Sequence, residues 1–353
     1  MRRASIRLIV VCSAFALVAT ACGRQAANPC ANTPWIGSPA HKLAVSVALR
    51  SFSVGLDGSL RDAALQAPRK IPFPIQGGDD PTGRRVATWK QGGESRITVT
   101  DRGRARVIAQ NVSSGPAWRP DGGAIAFAEL FDGTSRVLVA TADRGFRPRE
   151  LGIALCLLGG PSWSPDSRLI ALVSPRDRRD CQRGAELVVI DAQDGHVVGR
   201  EAVPGSVPSP PAWSADGRYA SESSDLGSLG IALVPRSGAP GDGRTIARCA
   251  GATWAPSGAR LAAGCDGHLA ILDLHTGART DLETSALEPG RAAVWSADGT
   301  RIAALTADGI TVATTAGHVA VVHLGGECFA ISLDRFSRGG RRVVVTASST
   351  LGD

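Results

Sequence analysis

Eight cysteines, six histidines and a set of regularly placed aspartates are the side chains of this 353-residue chain best suited to chemistry. Their spacing decides what they could do together. His196 and His275 fall in turn-like segments, DGH and HTG, and read as polar turn residues. His268, His318 and His323 lie 14, 23 and 28 residues past the preceding tryptophan. Equivalent ligands around a shared axis need equal offsets, so no histidine metal centre is expected. The segment DAQDG from Asp191 has carboxylates at the spacing of a calcium loop, yet it lacks the further acidic ligands and the terminal Glu of one. It reads as a β-turn. There is no G-x-S-x-G elbow, no P-loop and no H-E-x-x-H, and the cysteines show no C-x-x-C or zinc spacing. The expectation is no catalytic centre, no cofactor and no metal.

What positions these residues is a repeat. PAWRPDGGAIAFAE from Pro116, PSWSPDSRLIALVS from Pro161, PAWSADGRYASES from Pro211, ATWAPSGARLAAGC from Ala252 and AVWSADGTRIAALT from Ala293 share one form: a small residue, Trp, a turn and an apolar strand. Two weaker copies, DDPTGRRVATW and RFSRGGRRVVVTA, place Asp79 and Phe336 at the aromatic position. The anchors Asp79, Trp118, Trp163, Trp213, Trp254, Trp295 and Phe336 are then 39, 45, 50, 41, 41 and 41 residues apart. Each period holds four short β-type runs separated by turn signals, the pattern of propeller blades.

The repeated residues have structural duties. Asp or Ser before Gly supplies side-chain to backbone bonding in a tight turn, and the aromatic gives each unit an apolar wedge against its neighbour. Asp121, Asp166, Asp216 and Asp298 are therefore turn residues. Gly115, Gly160 and Gly251 precede the anchors where inner strands would crowd an axis. Almost no helix is expected. The last unit stops after two strands, and LAVSVALRSFSVGLDGSLRDAAL from Leu43 offers two more without an anchor. Their union predicts an all-β propeller of seven four-stranded blades closed by a composite blade, with six blades as the alternative.

The N-terminus reads as an export signal. Arg2, Arg3 and Arg7 flank the apolar run IRLIVVCSAFALVATAC, which is short for a spanning helix of about 20 residues. Ala19, Thr20 and Ala21 before Cys22 resemble a bacterial lipobox, with Ala19 where that family prefers Leu. The resemblance implies a leader over 1–21, diacylation of Cys22 and a tethered tail over 22–42 before the propeller of 43–353. The alternative is cleavage after Ala21 and release of the chain. Either way the product is extracytoplasmic, and the membrane is reached through the anchor alone. Loss of residues 1–21 lowers the formal charge from +7 to +4. No dense basic run follows, so nucleic acid is not an expected partner.

Six cysteines remain beyond Cys22, an even number that suits disulfides in an exported chain, and six thiols allow 15 pairings. On the blade frame Cys249 and Cys265 bracket one hairpin, and Cys156 and Cys181 fall in two loops on one face. That leaves Cys30 with Cys328, tying the tail to the closing blade. Reduced, buried thiols are the alternative.

The Trp-Ser-Pro-Asp-Gly segments and their Ile-Ala strands resemble the repeats of TolB-like, WD-repeat-like bacterial propeller lipoproteins over residues 76 to 348. Residues 23 to 42 do not resemble the α/β domain that precedes the propeller in TolB, which sets the chain apart from a Tol-Pal role. The resemblance implies a non-catalytic scaffold that grips a protein or peptide at a propeller face. The face bearing the loops that enter each Trp segment is the expected contact surface, with Arg291, Glu327, Asp334 and Arg335 as its polar candidates. A propeller enzyme acting on carbohydrate or through a bound metal or cofactor, and a sensory ectodomain of an envelope complex, are the alternatives.

Overall fold

A computed structural model describes residues 47–55, 60–62, 76–90, 95–131, 134–155, 160–175, 184–204, 211–223, 230–236, 242–284, 293–306, 309–322, 331–336 and 342–350. Among them the only helical element is a single 3-10 turn, Ala142–Arg144. All other regular structure is antiparallel strand.

Six four-stranded sheets follow one another in the chain. Sheet 1 contains Gln76–Asp79, Arg85–Lys90, Arg96–Asp101 and Arg104–Gln110. Sheet 2 contains Ala117–Trp118, Ala124–Phe131, Thr134–Thr141 and Arg147–Leu155. Sheet 3 contains Ser162–Trp163, Leu169–Pro175, Ala185–Asp191 and Val197–Val203. Sheet 4 contains Ala212–Trp213, Tyr219–Ser223, Gly230–Pro235 and Arg244–Ala247. Sheet 5 contains Cys249–Trp254, Arg260–Cys265, His268–Asp273 and Arg279–Asp281. Sheet 6 contains Val294–Trp295, Arg301–Thr306, Gly309–Thr314 and Val319–Val322. A further sheet joins the two ends of the chain in the order Leu60–Asp62, Val47–Gly55, Arg342–Thr350, Ile331–Phe336. The union of N- and C-terminal strands read from the sequence is thus present as a sheet.

The register repeats. Each anchor faces the residue seven positions on: Asp79 opposite Val86, Trp118 opposite Ile125, Trp163 opposite Ile170, Trp213 opposite Ala220, Trp254 opposite Leu261, Trp295 opposite Ile302 and Phe336 opposite Val343. Asp79 therefore does occupy the aromatic site of sheet 1.

Alternation of side chains along a strand divides the core between neighbours. From Leu169–Pro175, Ile170 and Leu172 pack with Val137 and Val139 of sheet 2. Leu169, Ala171 and Val173 pack on the other side with Ala220, Ala232 and Val234 of sheet 4. Every residue of that strand is buried. A sheet covered on both faces needs such an unbroken apolar run in its middle strands. The same division gives the clusters between sheets 1 and 2, 4 and 5, and 5 and 6.

The anchors lean on the preceding sheet and bond to it. The indole N–H of Trp163 donates to Ala117 O at 3.0 Å, that of Trp213 to Ser162 O at 3.0 Å, and that of Trp295 to Thr253 O at 3.1 Å. Trp254 donates to Ala212 O at 3.3 Å and Ser221 Oγ at 2.8 Å. In each case the carbonyl belongs to the residue just before the preceding anchor. First strands are thereby stitched side by side, as around a common axis. Trp163 and Trp213 are buried, while Trp118, Trp254 and Trp295 are half-buried, so the wedge is deepest at sheets 3 and 4.

Crowding at the glycines is milder than the sequence suggested. A Cβ on Gly160 would meet Gly115 O at 3.6 Å, an ordinary contact. Gly251 has φ +63° beside a register shift between Ala250 and Thr253, so its need is conformational. Gly195 does permit a close approach: its φ is +79°, and a Cβ there would lie 1.9 Å from Leu151 O of the neighbouring sheet.

Candidate functional site

The turns between first and second strands are built alike. Ser164, Ser214 and Ser296 each donate a hydroxyl to Asp166, Asp216 and Asp298 at 2.7, 2.7 and 2.6 Å. Each Ser hydroxyl in turn accepts the N–H of the residue five on, Leu169, Tyr219 or Arg301. The Asp carboxylates accept the N–H of Arg168, Arg218 and Thr300. In sheet 2 Arg119 replaces the Ser and its guanidinium bonds Asp121 at 2.8 Å. In sheet 1 the buried Asp80 takes over, accepting from Thr82 Oγ1 and from the N–H groups of Thr82 and Arg84. These carboxylates are spent on the turns, as the sequence predicts.

The same bonds hold the pKa values of Asp166 and Asp298 down. Asp298 is lowered from 3.8 to about 2, chiefly by the Ser296 hydroxyl and then by Thr300. At Asp166 burial pushes the pKa up, but the Ser164 hydroxyl, the Arg168 N–H and the Arg236 charge together lower it. A depressed native pKa means that the unfolded chain binds more protons as the pH falls. The stabilisation is complete above the unfolded value and is lost as pH drops through the native one. Between about pH 4 and 2 the protein should therefore lose stability, and Asp298→Asn should flatten part of that slope. Denaturant midpoints across that range check it, and an unchanged slope in the variant would contradict the assignment.

Sheet 5 departs from the pattern. Ala255 and Ser257 stand where the Ser and Asp of other turns stand. Beside this turn a groove of about 370 Å³ opens between sheets 4 and 5, lined by Asp216, Arg218, Gly258, Arg260, Asp273 and His275 among others. Arg218 Nη1 lies 3.5 Å from His275 Nδ1. Asp273 accepts the N–H groups of Thr276 and His275, both at 2.9 Å; the Thr276 bond is the main cause of its lowered pKa, burial opposes it, and the His275 bond adds to the lowering. Arg260 sits 5.7 Å over the Trp295 ring. Asp273 is thus committed to its turn and Asp216 to its turn and to Arg218 at 3.6 Å, and beside that pair the groove presents Arg260 and the His275 imidazole to an incoming polar ligand. The departure ATWAPSGARL was its signal in the sequence. Antiparallel pairing puts this groove at the end of the sheets bearing the first-to-second and third-to-fourth turns, opposite the loops that enter each anchor segment.

Asp191, Asp194 and His196 bring ligand atoms within 4.8 Å of one another. Asp191 accepts the Gln193 N–H at 2.7 Å, and Asp194 accepts the His196 N–H at 3.0 Å and faces its Nδ1 at 2.7 Å. One oxygen of each carboxylate holds the turn that DAQDG was read to form. His268 Nδ1 bonds Thr284 O, while His318 donates its N–H to Thr314 Oγ1. The two lie at opposite ends of neighbouring sheets, and His323 lies outside the described residues.

Cys249 and Cys265 form a disulfide with their Cα atoms 4.1 Å apart. Cys22, Cys30, Cys156, Cys181 and Cys328 lie outside the described residues, as do Arg291 and Glu327. Asp334 and Arg335 are in the strand Ile331–Phe336, where a register shift between Leu333 and Arg335 falls at Asp334; their side chains are outside the described set.

Stitched first strands and repeated four-stranded sheets are the arrangement of β-propeller blades. The chain is similar to TolB from Acinetobacter baumannii at 16% identity, covering 87% of this chain and 81% of that one with a TM-score of 0.39. It is similar to an oligogalacturonate lyase in complex with manganese at 12% identity, 86% and 91% coverage and a TM-score of 0.48. It is also similar to the β-propeller domain of the trilobed protease from Pyrococcus furiosus at 13% identity, 79% and 94% coverage and a TM-score of 0.44. No family model matches the sequence, and no curated protein matches it.

Proposed function

We propose that this chain is an exported β-propeller lipoprotein, acylated at Cys22, whose seven blades close through the composite sheet into a rigid scaffold that binds a protein or peptide at the cell envelope without catalysis of its own. The observation that carries the reading is the consumption of the repeated polar residues. Ser164, Ser214, Ser296 and their aspartates are bonded to each other and to the backbone, so the repeat supplies shape. Recognition then falls to non-repeated connections held on a stiff frame, where binding residues usually reside.

Arg291, Glu327, Asp334 and Arg335 are the proposed contacts on the face of the entering loops. Co-purification from detergent-solubilised membranes tests the reading. A stoichiometric protein partner is expected, lost when Arg291 and Glu327 are both changed to Ala, and recovery of the chain alone from wild-type membranes would overturn it. Intact mass of the membrane-extracted protein should show a diacylated Cys22, abolished by Cys22→Ser.

A further inference from the structure

The sequence spreads its arginines without a run, but the fold gathers five of them. Arg102 and Arg104 flank the third-to-fourth turn of sheet 1, Arg106 follows on its outer strand, and Arg144 and Arg147 flank the corresponding turn of sheet 2. All five are exposed. The two outer strands pack against each other, and Arg106 Nη1 donates to Gly145 O at 2.9 Å, joining the two turns.

Of the acids nearby, three are engaged elsewhere, and Asp143 offsets one positive charge of the cluster. Asp101 pairs with Arg85, Asp121 with Arg119 and Glu150 with Arg136. Asp143, between the clustered arginines, accepts the Arg144 N–H. None of the five guanidiniums is in a salt bridge with a described acidic residue. The patch ends at Arg149, which reaches Ala192 O beside Asp191 and Asp194. Val107, 44% exposed, follows Arg106 on the outer strand and points to the opposite face of the sheet.

We infer that this corner is a membrane-contact surface for anionic lipid headgroups, orienting the propeller on the bilayer. Guanidinium groups match phosphate geometry, and an exposed outer edge of two adjacent sheets meets an extended surface. A basic surface near anionic lipid gains about a five-fold preference per arginine. The inference rests on the envelope location proposed above, but its test does not use the anchor.

The mature chain from residue 22, carrying Cys22→Ser and made without its leader, is mixed with vesicles of phosphatidylcholine alone or with 30 mol% phosphatidylglycerol and assayed by flotation. Preference for the anionic vesicles is expected, falling on the order of 25-fold in Arg104→Gln/Arg147→Gln and vanishing at high salt. Arg96→Gln, at the opposite end of sheet 1, should bind as the parent does. Equal binding to both vesicles, no binding, or an unaffected double variant would overturn the inference. So would capture by polyglutamate or a nucleic acid in place of vesicles. Absence of acylation at Cys22 would defeat the lipoprotein reading and leave this result standing.

Discussion

Trp213→Ala should lower unfolding stability by about 3 to 5 kcal/mol, the range for removing a large buried aromatic. Trp213 is buried against sheet 3 with Leu169, Ala171 and Val173, and its indole N–H holds Ser162 O at 3.0 Å. Trp213→Phe separates the two contributions. It keeps most of the apolar contact and removes the indole hydrogen bond to Ser162 O, at a cost of about 0.5 to 1.5 kcal/mol. Trp295→Ala should cost less than Trp213→Ala, since that ring is only half-buried. Urea denaturation of the four proteins measures the order. If Trp213→Phe matches the parent, the indole bond to the preceding first strand contributes nothing.

Removal of the disulfide should cost about 3 kcal/mol. Cys249 and Cys265 face each other across the first two strands of sheet 5 and are separated by 16 residues. A closed loop of about 15 residues restricts the unfolded chain by roughly that amount in the chain-entropy account. Both residues are fully buried in the core shared by sheets 4 and 5. Cys249→Ala/Cys265→Ala should therefore shift the urea midpoint downward in oxidising buffer. Reductant should move the parent toward the variant and leave the variant's sheet 5 contribution unchanged. Equal midpoints for parent and variant under oxidising conditions would show that the bridge does not stabilise the fold.

The pairing of these two cysteines illustrates what a repeat makes legible. Once Trp254 fixes the frame, the turn PSG and the strand length bring Cys249 to within one residue of facing Cys265, and the register shift between Ala250 and Thr253 sets the two opposite each other. The same counting puts Asp79 at an aromatic site, because register depends on turn length and not on side-chain type. The Ser-to-Asp bonds of the turns were readable too, since they join residues two apart. Of the groove between sheets 4 and 5 only the irregular turn in ATWAPSGARL was visible, not the residues that line it, and the arginine corner left no mark. Arg218 and His275 are 57 residues apart, and Arg106 and Gly145 are 39 apart. Neither pair shares a repeat position.

The sequence by itself determined the local grammar of this protein: strand, turn, anchor and register, together with the union of its two ends in one sheet. The local features follow from bonding within a unit, and the union follows from the two incomplete units at the ends, whose strands Val47–Gly55 and Arg342–Thr350 pair although far apart in the chain. Only the tertiary structure decided which face of each strand meets which neighbour, how deeply each tryptophan is buried, and which charges converge. Those outcomes depend on how adjacent sheets are rotated against one another, and side chains far apart in the chain meet only after that packing is complete.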